Sequence, residues 1–251
     1  MKLNFRPNFE KGLILKQYML EALRDYPESY IELLYSNMGD GIITGLEISV
    51  VGESIFCIKP GIVKNQGKVY IFQGRANLEF SEGERYVYLK IKEEKQVDGI
   101  KYKMDIIQTE QETEEFLEIF RYIKNAKMKE YTNINELFLE NRPTNRIDTS
   151  YSKQSIEGGN TVRKEYFILY AKKIMEKPNA TIRDVAFAYE CMNGIYNIEI
   201  LKSYFETEQL DNETIFRLMK KRLGELELTL EKKEVQMPEK RKTRETIVSI
   251  S

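Results

Sequence analysis

The sequence predicts an α+β fold with an N-terminal helix, a small antiparallel β-sandwich or barrel-like domain, and a mainly helical C-terminal domain. Three observations predict it. Apolar residues recur at helical spacing before residue 36, alternate at strand spacing over 42–108, and return to helical spacing beyond 160. Apolar residues make up 41% of the 251 residues and charged residues 31%, which is typical of a globular protein.

The N-terminal region, residues 1–41, contains a stripe of apolar residues at helical spacing: Leu15, Met19, Ala22 and Tyr26. Pro27 is expected to end this helix, because a proline disfavours helical backbone in the residue before it. A short amphipathic segment follows over 28–36. The turn residues at 37–41 then predict a boundary.

Residues 42–140 are predicted to form an antiparallel β domain with a helix after it. Short alternating segments separated by turn residues predict strands at 42–50, 54–59, 62–64, 68–72 and 77–80. Two longer alternating runs, 85–92 and 100–107, predict an antiparallel hairpin. Acidic residues followed by lysines over 110–129, with Phe116, Phe120 and Ile123 spaced four and three apart, predict a helix.

A polar stretch containing glycines, residues 141–160, is predicted to be a linker between two domains. The helical domain follows at 161–233. Its second helix is expected to begin after an N-cap at Thr181 and to bury one stripe of residues: Ile182, Val185, Tyr189 and Met192. The run 225–231 alternates like a strand and also continues a helical stripe, so both structures stay open.

Residues 234–251 are predicted to form a C-terminal arm. It carries a basic cluster at 240–244, which favours a solvated tail or an arm on an acidic protein partner over contact with nucleic acid. The apolar run 247–250, together with Phe5, predicts docking on a neighbouring subunit. The alternative is that this run pairs with 225–231 of its own chain.

The composition argues against catalysis. The chain contains no histidine, which removes the commonest general base and the usual activator of Ser and Cys nucleophiles. The two cysteines, Cys57 and Cys191, lie in apolar contexts that predict buried hydrophobic residues and are too few for a zinc site. We therefore predict no catalytic, cofactor-binding or metal-binding residues, no cofactor and no small-molecule substrate.

Two further signals carry little chemistry. The glycines of 39–45 resemble a nucleotide-binding loop only superficially, because a predicted helix precedes them and a predicted strand follows, the reverse of the phosphate-binding order. Four tyrosines lie on predicted strands and could form a protein interface or a half-buried edge: Tyr70, Tyr86, Tyr88 and Tyr102.

Three stretches of the β region form a distinctive pattern: 41–46 (GIITGL), 58–64 (IKPGIVK) and 67–70 (GKVY). This pattern resembles the small β-domain near the N-terminus of phage tail-fibre and baseplate proteins, including those of contractile injection particles and phage-tail-like bacteriocins. It is built of turn glycines: Gly45, Gly61 and Gly67 are expected to permit positive φ at tight corners. The part beyond residue 160 carries no such resemblance.

The resemblance implies a structural protein, not an enzyme, that acts through protein–protein contacts in virion or particle assembly. Other baseplate or tail-fibre proteins would be its partners, in a homo- or hetero-oligomer made in the bacterial cytoplasm, with nucleic acid unlikely as a ligand and no membrane insertion. The alternative is a helical adaptor or regulatory protein that binds a protein or nucleic acid. An enzyme working through carboxylates or lysine is the less favoured third reading.

Overall fold

The computed structural model describes residues 11–12, 14–52, 54–96, 99–124, 146–194 and 197–235. The helices of this part of the chain are α1 Gln17–Leu34, α2 Lys164–Met175, α3 Ile182–Asn193, α4 Ile198–Phe205 and α5 Asn212–Val235. The strands are β1 Gly41–Gly45, β2 Ile48–Val51, β3 Ile55–Ile58, β4 Gly61–Asn65, β5 Lys68–Phe72, β6 Ala76–Glu79, β7 Gly83–Gln96, β8 Gly99–Thr109, β9 Leu117–Lys124, β10 Arg146–Asp148, β11 Gln154–Ile156 and β12 Gly159–Thr161. The α+β class is confirmed.

The strands form three sheets. One has the order β12-β11-β1-β4-β5, a second β10-β9-β7-β8 and a third β2-β3-β6. The pairing of β1 with β11 is parallel, with Ile42 opposite Gln154, whereas the other strand pairs are antiparallel. The predicted hairpin is confirmed, because β7 and β8 pair from Tyr86 opposite Thr109 to Gln96 opposite Gly99.

One apolar core joins the three sheets. It includes Ile42, Phe56, Val63, Leu89 and Phe120, all of them fully or almost fully buried. Phe56 and Tyr122 each make three aromatic contacts in this core, and the Phe56 ring meets its partners edge-on or tilted with centroids 4.9–6.1 Å apart. The apolar residues whose alternation predicts these strands therefore lie on the faces that the strands bury.

A second core lies between the helices of the C-terminal half. From α5 it takes residues spaced four, four and three apart: Ile215, Met219, Leu223 and Leu226. Phe187 of α3 stacks flat against Tyr204 of α4, with ring centroids 3.7 Å apart. Residues 225–231 are thus helical, which settles the choice that the sequence left open.

Polar groups join the two halves of the described chain. The Arg163 guanidinium, buried just before α2, donates to the carbonyl oxygens of Leu46 at 3.4 Å and Ile119 at 3.3 Å. The Asn212 amide at the start of α5 donates to the Ser150 oxygen at 2.7 Å. The backbone N–H of Ile198 donates to the Glu157 oxygen at 2.9 Å. The helices therefore pack directly on the sheet region.

The expectation that Pro27 ends the first helix is wrong. α1 begins at Gln17, passes through Pro27 and continues to Leu34, so 17–26 and 28–34 belong to one helix and Leu15 lies before it. Proline disfavours the helix only by a few kcal/mol, and the apolar periodicity continues on both of its sides.

The predicted helix over 110–129 is also wrong over its described part. Residues 117–124 form β9, the strand between β7 and β10. Ile119, Phe120 and Tyr122 all enter one core, and the register against β7 shifts between Phe120 and Glu118, so a bulge at Ile119 breaks the period of two and leaves a spacing that imitates a helix. The end of that helix, 125–129, lies outside the described residues.

The stretch predicted as a linker carries strands. Of residues 141–160, the structure describes 146–160, and these supply β10, β11 and part of β12. β10 pairs with β9 at a sheet edge, and β11 lies between β12 and β1, so backbone pairing places these short polar strands although they carry little apolar surface. The division into domains at this point stays a prediction.

The predicted face of α3 is wrong as well. Ile182, Tyr189 and Met192 are exposed, and the residues that α3 buries are instead Asp184, Phe187, Ala188 and Cys191. The N-cap is confirmed: the Thr181 side chain and the Asp184 backbone form a capping box. The Asp184 carboxylate is buried where it pairs with Arg222 of α5, and the stripe through Ile182, Tyr189 and Met192 therefore faces outward.

Candidate interaction surfaces

α1 presents a broad apolar face to solvent. Of its eighteen residues, all of which the structure describes, Met19 alone is buried. The exposed apolar face consists of Leu20, Leu23, Tyr26, Tyr30, Leu33 and Leu34. Tyr26 is 69% exposed and Leu33 74%. We call these six residues the α1 face.

The α1 face is unusual because apolar side chains that stay exposed add little to the stability of a helix. A helix in water is marginal unless it buries an apolar side, and Pro27 costs a helix interior about 3 kcal/mol. Within the described residues, Met19 supplies the buried contact of α1. An exposed apolar patch of this extent typically marks a protein-binding site.

The end of α1 is fixed firmly to the sheet region. The buried Lys64 of β4 donates all three ammonium hydrogens to carbonyl oxygens just after α1: Tyr35 at 2.9 Å, Ser36 at 3.0 Å and Met38 at 2.7 Å. A cation at a helix C-terminus also complements the helix dipole. Lys64 therefore fixes the C-terminal end of α1 against the sheet region.

The loop after α1 is held as tightly. The Gly39 N–H donates to the oxygens of Ile156 and Gly159, and a Cβ at Gly39 would lie 2.1 Å from the Gly159 oxygen. The Asp40 carboxylate accepts the backbone N–H groups of Gln66 at 2.8 Å and Gly67 at 3.1 Å. Gly39 and Asp40 thus form the turn between α1 and β1, at the boundary that the sequence predicts.

α3 carries a second exposed apolar surface, on the helical half. Ile182, Tyr189 and Met192 are spaced seven and three residues apart and lie on one side of the helix. Ile182 is 90% exposed. We call these three residues the α3 face. Because α1 packs near β5 and α3 packs on α2, the two faces belong to different halves of the chain.

A cleft of about 400 Å³ beside α3 is lined by six charged side chains: Arg183, Asp184, Glu206, Lys221, Arg222 and Glu225. At its centre, the Asp184 carboxylate accepts bonds from Arg222 at 2.6 and 2.9 Å and from the Tyr204 hydroxyl at 2.8 Å. Burial alone would raise the pKa of Asp184, but the bonds from Arg222, Thr181 and Tyr204 outweigh it and hold that pKa below its ordinary range.

The other charges around this cleft are also paired. Arg183 pairs with Glu206, and Glu225 pairs with Arg222. Lys221 lies 3.9 Å from Glu225, and the bonds around Asp184 tie α3, α4 and α5 together. The cleft is therefore best explained as a structural network that fixes the helical half.

The corner that carries the sequence resemblance has a constrained backbone. Gly45 has φ +75° and a Cβ there would lie 2.2 Å from the Pro60 oxygen, while the following Leu46 is fully buried with φ +52°. Gly67 also has positive φ, as expected. Gly61 does not, but a Cβ on it would lie 2.6 Å from the Leu46 nitrogen, so close approach requires the glycine.

Other residues singled out in the sequence occupy structural positions. Cys57 and Cys191 are buried, and burial raises the pKa of the Cys191 thiol.

Tyr88 is fully buried because the segment before β9 folds over it, and its hydroxyl accepts the Thr113 N–H at 3.0 Å. Of the four strand tyrosines, Tyr102 is exposed, whereas Tyr70 is buried and Tyr86 half-buried. The basic cluster at 240–244, the run 247–250 and Phe5 lie outside the described residues.

The described ranges lack two kinds of feature. No group of three or more His, Cys, Asp or Glu side chains is placed to hold a metal ion. No helix in them is long and apolar enough to cross a membrane.

Comparison with known proteins gives weak structural likeness alone. No protein-family model matches the sequence, and no curated protein is significantly similar to it. A chain of the type VI secretion system TssK–TssF–TssG baseplate subcomplex, solved by cryo-electron microscopy, aligns with a TM-score of 0.40 and 9% identity over 88% of this chain and 98% of that one.

The crystal structure of TssK aligns with a TM-score of 0.30 and 12% identity, over 90% of this chain and 56% of the TssK chain. This chain therefore spans little more than half of TssK. Both neighbours are baseplate proteins, but TM-scores this low carry no argument about function.

Proposed function

We propose that the chain is a structural subunit of a phage tail or contractile injection particle, in its baseplate or at the attachment of its fibres, and that it joins neighbouring proteins. The observation that carries this proposal is the pair of exposed apolar faces, one on α1 and one on α3, on halves that are tied to each other. A subunit with one such face binds a partner; a subunit with two can link partners.

The corner at Gly45 and Leu46 supports the assignment to a tail particle. The sequence pattern that resembles tail-fibre and baseplate β-domains falls on residues whose backbone is constrained: Gly45, Leu46, Gly61 and Gly67. The pattern therefore reflects a real local geometry and not composition alone.

The paired charges support a role without catalysis. Where carboxylates, arginines and a lysine gather in the described chain, around Asp184, they neutralise one another and join helices. The α3 face by itself would also suit the alternative role of an adaptor. An adaptor needs one such face, however, and leaves the α1 face unexplained.

The proposal is tested by locating the chain in its native cells. An epitope-tagged full-length chain is followed through a density gradient, and the heavy fractions are imaged with an antibody carrying gold. We expect the chain to sediment with tail-like particles and the gold to lie at one end of them.

The matched variants are Ile182→Glu with Met192→Glu, which damage the α3 face, and Glu190→Gln on the same helix as the control. We expect the double variant to leave the particle fractions while the control stays. A tagged chain that remains wholly in the light fractions, while particles form normally, would contradict the proposed role.

A further inference from the structure

The α1 face has the repeat that a helix uses to pack against copies of itself. Leu23 and Tyr30 take the a positions of a heptad, while Met19, Tyr26 and Leu33 take the d positions, so the spacing is four, three, four and three. Four of these five side chains are exposed in the described structure, and the fifth, Met19, lies at the beginning of α1. The seam from Leu23 to Leu33 is thus open to a partner.

The flanking positions widen this seam. The e positions are Leu20, Pro27 and Leu34, and the g positions are Ala22 and Ser29. None of them is charged. An apolar face that covers a, d and e is the pattern of helices in bundles, where each helix contacts more than one neighbour.

All the charged residues of α1 lie away from the seam. They occupy the b, c and f positions: Glu21, Arg24, Asp25, Glu28 and Glu32. Copies of α1 can therefore meet in register without placing like charges against each other. Heptad spacing and an uncharged rim together make the α1 face complementary to itself.

The same charges argue against a lipid surface as the occupant. Helices that lie on anionic membranes carry lysine and arginine on their polar face. The polar face of α1 carries four acidic residues and one arginine. An anionic lipid surface would repel it.

We infer that the α1 face is covered by the α1 helices of further copies of this chain, which form a symmetric bundle around their a and d positions. Lys64 fixes the C-terminal end of α1 to β4, so α1 makes the same angle with the sheet region in every copy. This inference names the occupant of one face of the proposed structural subunit and leaves the α3 face for a different protein.

The test is the mass of the purified full-length chain in solution, by light scattering or sedimentation at micromolar concentration. We expect a multiple of 29.6 kDa for the wild type and 29.6 kDa for the Leu23→Glu, Leu33→Glu double variant. The control is Ile182→Glu with Met192→Glu, which makes the same change of charge on the α3 face and should keep the oligomer. Circular dichroism checks that each variant is folded.

Disulfide cross-linking gives a second readout that does not depend on a disruptive variant. Tyr26 occupies a d position near the middle of α1, so Tyr26→Cys should form a covalent dimer on mild oxidation, whereas Glu28→Cys at an f position should not. A monomeric wild type, an oligomer that survives the α1 variant, or equal cross-linking at both positions would overturn the inference. A chain that is monomeric alone but still lies at the end of tail particles would overturn this inference and leave the proposed function intact.

Discussion

At the scale of single residues, Asp184 concentrates more bonds than any other carboxylate described in the helical half. It accepts from Arg222, Tyr204 and Thr181, which lie on three different elements of that half. Nothing in the local sequence around Asp184 shows this, because Arg222 lies 38 residues away. A sequence pattern can identify its capping box with Thr181 but not the buried ion pair.

We predict that Asp184→Asn lowers the free energy of unfolding by on the order of 3 kcal/mol, because it removes a charge and leaves the Arg222 guanidinium without its closest partner. Urea denaturation measures the change. Glu206→Gln, which removes the exposed partner of Arg183, is the control and should cost less than about 1 kcal/mol. Equal effects of the two substitutions would contradict a central role for Asp184.

The same network predicts a pH dependence. Because the folded-state pKa of Asp184 lies below its ordinary value of about 3.9, the unfolded chain takes up a proton first as the pH falls. The stability from this carboxylate is therefore present above about pH 4 and is lost progressively below it. The wild type should lose stability between about pH 4 and pH 3 more steeply than Asp184→Asn; parallel curves would contradict this.

Gly45 provides the residue-scale test of the β-domain corner. Gly45→Ala should lower the free energy of unfolding by more than about 2 kcal/mol, because a Cβ meets the Pro60 oxygen at 2.2 Å as well as suffering the positive φ. Gly67 has a similar φ but open space around it, so Gly67→Ala should cost about 1 kcal/mol. Equal costs, measured by urea denaturation, would mean that the close approach is not needed.

At the scale of elements, strands and helices with one buried face are predictable from the sequence. The β7–β8 hairpin follows its alternation, and α4 and α5 follow their apolar stripes. β9 does not, because a bulge at Ile119 shifts its register against β7 and the period of two disappears. The parallel pairing of β1 with β11 joins residues 112 apart, and local patterns carry no information about such contacts.

α3 shows why the candidate surfaces could not be predicted. Its sequence offers two stripes: one runs through Ile182, Tyr189 and Met192, and the other through Asp184, Phe187 and Cys191. The first is the more apolar, so pattern reasoning buries it. The structure exposes that stripe because Asp184 and Phe187 find partners on α5 and α4.

The face of α3 can be tested with two substitutions two residues apart. Phe187→Ala should lower the free energy of unfolding by about 3–5 kcal/mol, because Phe187 is buried and stacks on Tyr204. Tyr189→Ala should change it by no more than about 0.5 kcal/mol, since Tyr189 is exposed. If Tyr189→Ala lowered the free energy of unfolding more than Phe187→Ala did, in thermal or urea unfolding, the face predicted from the sequence would be the buried one.

At the scale of the whole molecule, the described chain places two apolar helix faces on two halves that share polar contacts. The position of each face depends on buried polar groups: Lys64 bonds to the backbone just after α1, and Asp184 of α3 pairs with Arg222 of α5.

The most direct measurement of the central claim is hydroxyl-radical labelling of tyrosines in the isolated chain and in native particles. Tyr30 lies in the α1 face and Tyr189 in the α3 face, and both rings are more than half exposed in the described structure, whereas Tyr170 is fully buried. We predict that Tyr189 is labelled in the isolated chain, that both Tyr30 and Tyr189 are protected in the particle, and that Tyr170 stays unlabelled in both samples. Equal labelling of Tyr189 in the two samples, together with free labelling of Tyr30 in the particle, would contradict the claim that these faces bind neighbouring subunits.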